Sequence, residues 1–295
     1  MQYLQKIEFH SIIFSLLAFV AIVLSWQVAV SSQPILLLAL VILIIVLGVP
    51  HGALDTLFAK QYWQLTSAKN WIIFLIGYSL LAALVVGFWL WKPVMFFIGF
   101  IVISIFHFAD DLPGDTPFIT KFLYGGAIIV LPTLLHQQQI AQLFSYFIAV
   151  QDANNLVNIL HALAFVWAAG IVISSFSCLK ANKYTSLEMI SVSLLALLAS
   201  PLVAFAIYFC GMHSMRHLLR SNIYLSESTK KLKLAALTLP TFFVLIAAVF
   251  CWPLLQNQAF DIKLIQLLFV MLAALTVPHM LLLYLSGFTT WIKTN

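Results

Sequence analysis

Charged residues are scarce in this chain: Asp, Glu, Lys and Arg make up 8% of its 295 residues, against about 25% in soluble domains. With 63% hydrophobic residues and a mean hydropathy of +1.08, that shortage excludes an ordinary soluble domain and implies an integral membrane protein. Alternating polarity is also missing. The apolar runs are continuous and belong to helices, since barrel strands alternate over about ten residues. Cysteines are few: Cys178, Cys210 and Cys251 lie far apart without a C-x-x-C pair, so neither a disulfide framework nor a zinc knuckle is expected. The net charge of +5 is spread over connecting segments and reads as an orientation signal, not a nucleic-acid surface. The apolar run 11–30 shows no obvious small-residue cleavage site and is expected to remain as a first helix.

What is present is a series of membrane-length runs. At about 20 residues per span, eight to ten helices use the whole chain, 1–295, as one integral-membrane domain. The expected fold is an all-α polytopic bundle with spans near 9–30, 35–58, 70–91, 94–111, 117–135, 156–178, 186–199, 201–222, 234–255 and 263–286. The segment 137–155 is polar and amphipathic and is expected at the interface. One helix over 186–223 would be about 57 Å long, too long for a bilayer of about 30 Å. Ser200-Pro201 supplies the break. Most Lys and Arg residues then fall on one side, leaving only Lys92 and Lys263 on the other. About ten helices with both termini cytoplasmic satisfy that bias.

Five of the eight histidines lie within these runs: His51, His107, His213, His217 and His279. Polar side chains are costly inside a bilayer and usually serve a site. In the ten-span arrangement the helices carrying them run in parallel. All five fall about 18–24 Å from the helix starts, at 1.5 Å per residue. One layer of imidazoles with few nearby charges suggests a buried metal centre. His213 and His217 are four apart, a spacing that can present both rings on one helix face; alone, it also suits a hydrogen-bonded core pair. Pro50-His51 and Pro278-His279 can equally be kinks at which the histidine satisfies a freed carbonyl. His279 stands as a fifth ligand or an outer partner, since four ligands suffice.

Asp55 and Asp110 follow His51 and His107 by four and three residues. They are candidates to hold the second ring nitrogen of a bound imidazole, or simply mark the interface. Arg216 and Arg220 are expected to snorkel, and His10, His136 and His161 to be ordinary polar residues near helix ends. Imidazoles without thiolates suit iron, zinc or copper. An apolar setting favours a lipid-soluble substrate and O2, which a single iron with open positions can serve. Clustered H-x-x-H-H boxes are absent. Phe106, Phe108, Tyr208 and Phe209 flank the layer and are candidates for a substrate slot, though packing or lipid contact accounts for any one of them equally well.

Gly48-Val49-Pro50-His51-Gly52-Ala53-Leu54-Asp55 resembles the Pro-His-Gly-x-x-Asp signature of the bacteriorhodopsin-related-protein family of β-carotene 15,15′-dioxygenases. Phe106-His107-Phe108, the His213–His217 pair and Pro278-His279 follow in the same order, so the resemblance spans essentially the whole chain. It implies a catalytic membrane domain that cleaves the central double bond of β-carotene with O2 into two retinals. It further implies Fe(II) held by His51, His107, His213 and His217, and no catalytic group beyond the metal ligands. The implied setting is multi-pass in the cell inner membrane, among lipid, with a retinal-binding rhodopsin as product acceptor. Three other readings remain: another iron-dependent lipid oxygenase, a non-catalytic carotenoid-binding protein, and a metal or proton transporter. The transporter would spread its histidines along the membrane normal.

Overall fold

A computed structural model describes residues 2–27, 34–225, 229–255 and 258–288, and every regular element among them is helical. In chain order these are α1 (Gln2–Gln27), α2 (Pro34–Leu43), α3 (Pro50–Ala53), α4 (Asp55–Trp63), α5 (Ala68–Trp91), α6 (Pro93–Ala109), α7 (Phe118–Val130) and α8 (Pro132–Leu135). They continue as α9 (Gln137–Ser145), α10 (Val150–Ala181), α11 (Lys183–Leu198), α12 (Pro201–Ile207), α13 (Met215–Tyr224), α14 (Lys230–Cys251) and α15 (Phe260–Leu285). Two π-helical segments, Ile44–Gly48 and Tyr208–Ser214, join α2 towards α3 and α12 to α13.

Seven helical stretches among the described residues are long and apolar enough to cross a membrane, fewer than the ten spans expected. The span 35–58 is broken, and those at 94–111 and 186–199 are short, each for a local reason. Pro50 breaks the first. Pro93 starts α6, and the turn beginning at Asp110 ends it after 17 residues. Asn182 caps α11 by accepting from Tyr184 and Thr185, and Ser200-Pro201 stops it after 16 residues. The break at Ser200-Pro201 therefore lies where proline geometry requires it. α10 runs further than 156–178, over 32 residues, and the amphipathic segment before it forms α9.

Pro50 also shapes the chain before it. A proline ring clashes with the carbonyl four residues back and has no N–H to offer. The turn widens instead, and the Val49 amide donates to Ile44 O at 2.9 Å, a five-residue step. At Gly48 an added Cβ would strike the Phe209 ring, so the two π segments touch there. Ser214 Oγ clips them together by donating to Gly48 O at 3.1 Å. Gly125 serves the same purpose between α7 and α6: a Cβ there would meet the backbone of Ile105 and Ala109. That close approach seats the end of α6, which carries His107. The core centres on α11, where Val192, Leu195 and Ala196 are wholly buried.

Candidate metal centre

Four of the five intramembrane histidines meet. His107, near the end of α6, and His213, in the second π segment, have ring centroids 4.4 Å apart and Nε2 atoms 3.0 Å apart. His279 of α15 lies 5.3 Å from the His107 ring and 5.1 Å from that of His217 on α13. All four are buried. His51 is the second residue of α3, but its side chain lies outside the described residues. Its neighbour Gly52 approaches the ring of His279: a Cβ there would sit 3.9 Å from Nδ1.

Two carboxylates orient this group. His279 Nδ1 donates to Asp55 Oδ1 at 2.7 Å, and Tyr78 OH donates to the other oxygen at 2.8 Å. His213 Nδ1 faces both oxygens of Asp111, at 3.0 and 3.2 Å, and Tyr208 OH donates to Asp111 at 2.9 Å. A proton held at Nδ1 leaves the Nε2 lone pair for a metal. Asp55 meets His279 across the bundle, while its expected partner His51 has its side chain outside the described residues, and Asp111, which spacing did not single out, holds His213. Asp110 lies in the turn after α6 and supplies its backbone carbonyl to Arg220 at 2.8 Å.

The histidines four apart face different partners. His213 turns to His107 and Asp111, whereas His217 meets His279, the Phe288 ring at 5.3 Å and Ser221 Oγ at 3.2 Å. The π segment ends between the two, at Ser214, and its wider turn offsets the helical register there. Among the slot candidates, Phe108 packs edge-on to His213 at 5.0 Å, and Phe209 stacks on it at 5.7 Å. Tyr208 reaches Asp111. Phe106 points away, 43% exposed, against Phe122, because its neighbour His107 takes the inward direction about 100° round the helix.

Arg216 and Arg220 do not snorkel. Arg216 is 0% exposed and pairs with Glu188 of α11 at 2.6 Å. It also donates to Asp111 O at 3.1 Å. His10 joins this cluster and is not an ordinary residue at a helix end. Its Nε2 donates to Gly211 O at 2.8 Å, which leaves Nδ1 to accept from Arg216 Nε at 3.3 Å. Arg220 donates to Phe288 O and covers the Phe288 ring. His136 and His161 bond backbone carbonyls of other helices, those of Leu197 and Thr133. Glu188 had a readable signal, a lone acid in an apolar run; Tyr78 had none.

The donor chemistry fits a divalent metal bound by nitrogen. An Nε2–Nε2 distance of 3.0 Å suits two ligands at right angles on one ion, each about 2.1 Å away. It equally suits an N–H···N hydrogen bond. No group of three or more His, Cys, Asp or Glu side chains is placed to hold an ion among the described residues, a set that excludes the side chain of His51.

Long apolar helices and a buried, carboxylate-oriented histidine cluster define the class: a polytopic helical membrane protein with a candidate metal centre. A family model described as beta-carotene 15,15′-dioxygenase matches residues 42–285. A beta-carotene 15,15′-dioxygenase from an uncultured marine bacterium, 66A03, is 31% identical over 252 residues, covering 82% of this chain and 90% of the relative. No solved structure matches. The chain belongs to the β-carotene 15,15′-dioxygenase family, a family of oxidoreductases.

Proposed function

We propose that the protein cleaves the central 15,15′ double bond of β-carotene with O2, giving two retinals. Besides family membership, one observation carries this reading: His107 and His213 face each other Nε2 to Nε2 within apolar helices, with Asp111 fixing the far side of His213. His51, His107, His213 and His217 would hold iron, with His279 as a further ligand or an outer partner. When bound, iron(II) supplies the redox chemistry that activates O2.

The chain's own residues orient and exclude. Asp111 and Asp55 keep the His213 and His279 protons on Nδ1, presenting Nε2 inward. Phe108 and Phe209 shield His213 from water. The carbon–carbon double bond breaks and each carbon takes one oxygen atom of O2, so neither an external reductant nor an acid–base residue is required. Selection of the bond falls to positioning. The same reading includes both termini on the Lys/Arg-rich cytoplasmic side of the inner membrane, and release of retinal into lipid for a retinal-binding rhodopsin.

Expression in β-carotene-producing bacteria, followed by pigment chromatography, tests this. The wild type is expected to convert β-carotene to twice its molar amount of retinal, and His213→Ala to leave the pigment intact. Unchanged carotene with folded, iron-replete wild-type protein would remove the reading.

A further inference from the structure

An apolar groove, open along one side and with about 70 Å³ of free space as it stands, lies between α2 with its π segment, α14 and α15. Its wall on α15 includes Leu264, Leu268 and Leu275, faced by Val41 and Val49 across the gap and by Ala248 of α14. On α15 these residues form one helical stripe, and the next position on it, four residues past Leu275, is His279. Val49 directly precedes Pro50-His51. The groove therefore runs about 16 Å along α15, and its last lining residue there, Leu275, lies one helical turn, about 6 Å along the axis, before His279. At the other wall, Ala236 packs in one cluster with Leu282 and Leu283 at the histidine end. Ala248 is about 18 Å further along α14, which sets it at the far end. The outer face of α14 is turned away from the bundle, with Val249 72% and Phe250 76% exposed.

We propose that this groove holds one ring-bearing half of the carotenoid, and that its depth sets which double bond reaches the histidines. The inference rests on the carotenoid-cleavage reading and deepens it. The occupant follows from two observations: the lining is apolar throughout, aliphatic but for Met271, and its stripe on α15 leads towards His279 at one end only. A long, rigid hydrocarbon entering from lipid between α14 and α15 is carried by the stripe to the histidine layer. It stops where the groove stops. The aromatic residues beside His213 then pack the centre and do not wall the slot.

The test fills the far end without touching the centre. Ala248→Phe and the milder Ala248→Leu are compared with Phe250→Leu on the opposite face of α14. β-Carotene binding to the purified proteins is followed by the carotenoid absorption band, and products by chromatography. Ala248→Phe is expected to weaken binding and lower retinal yield by about tenfold or more, Ala248→Leu by less, and Phe250→Leu to match the wild type. Folded Ala248 variants that bind and cleave like the wild type would overturn the groove assignment. So would phospholipid in the groove that β-carotene fails to displace. A wild type that neither binds nor cleaves β-carotene would instead sink the carotenoid reading, a result separate from any variant.

Discussion

Asp111 and Glu188 occupy neighbouring parts of one buried network yet have different consequences. Asp111 accepts from His213 and Tyr208, so its loss leaves the imidazole free to rotate and to change tautomer. Removing such outer partners typically lowers metal affinity by about 10–100-fold. Asp111→Ala is expected to do so in Fe(II) titrations of the purified protein, and unchanged affinity would separate Asp111 from the centre. Glu188 neutralises Arg216, which is 0% exposed. Breaking a buried pair from one side costs about 3–5 kcal/mol, because it strands the other charge. Glu188→Gln should therefore lower the thermal melting point clearly, and adding Arg216→Leu should recover most of the loss. A double variant as unstable as the single one would mean that Arg216 contributes by packing.

At the level of elements, the helices that carry the histidines are mostly the interrupted or short ones. α6 has 17 residues, α3 has four, and the Tyr208–Ser214 segment is π-helical. A widened turn offsets the register of the side chains that follow, which is why such segments recur at functional sites. α6 reaches His213 only because Gly125 lets α7 approach the backbone at Ile105 and Ala109. Gly125→Val would push α6 outward and take His107 with it. The expected result is a loss of about 1–3 kcal/mol, the usual cost of overpacking, together with reduced retinal formation. Melting and pigment extraction measure the two effects, and wild-type values in both would place the α6–α7 contact elsewhere.

Over the whole molecule, orientation depends on the distribution of Lys and Arg. The ten-span arrangement puts Lys92 outside and Lys183 inside. A membrane-impermeant maleimide applied to intact spheroplasts should label Lys92→Cys strongly and Lys183→Cys only after permeabilisation. Equal labelling before permeabilisation would break the arrangement. The seven long apolar stretches leave the short elements to be held by neighbours, and buried polar residues do part of that holding. The Arg216–Glu188 pair joins α13 to α11, and His10 ties α1 to the second π segment through Gly211.

The long apolar helices and the helix breaks at Pro93 and Pro201 were legible in the sequence, as were the four histidines that the fold brings together. Each follows from a local cost: apolar runs partition into lipid, proline stops helices, and an imidazole in such a run is retained only for use. The partners were not legible. Asp55 meets His279 across 224 positions and Asp111 meets His213 across 102. Such pairings depend on how helices cross, not on spacing along one helix. Nor did spacing show that Arg216 is buried, or that His213 lies in a π segment. Desolvation and hydropathy act on each segment separately, so sequence alone determined which residues enter the membrane. Only packing between distant helices decided which of them touch.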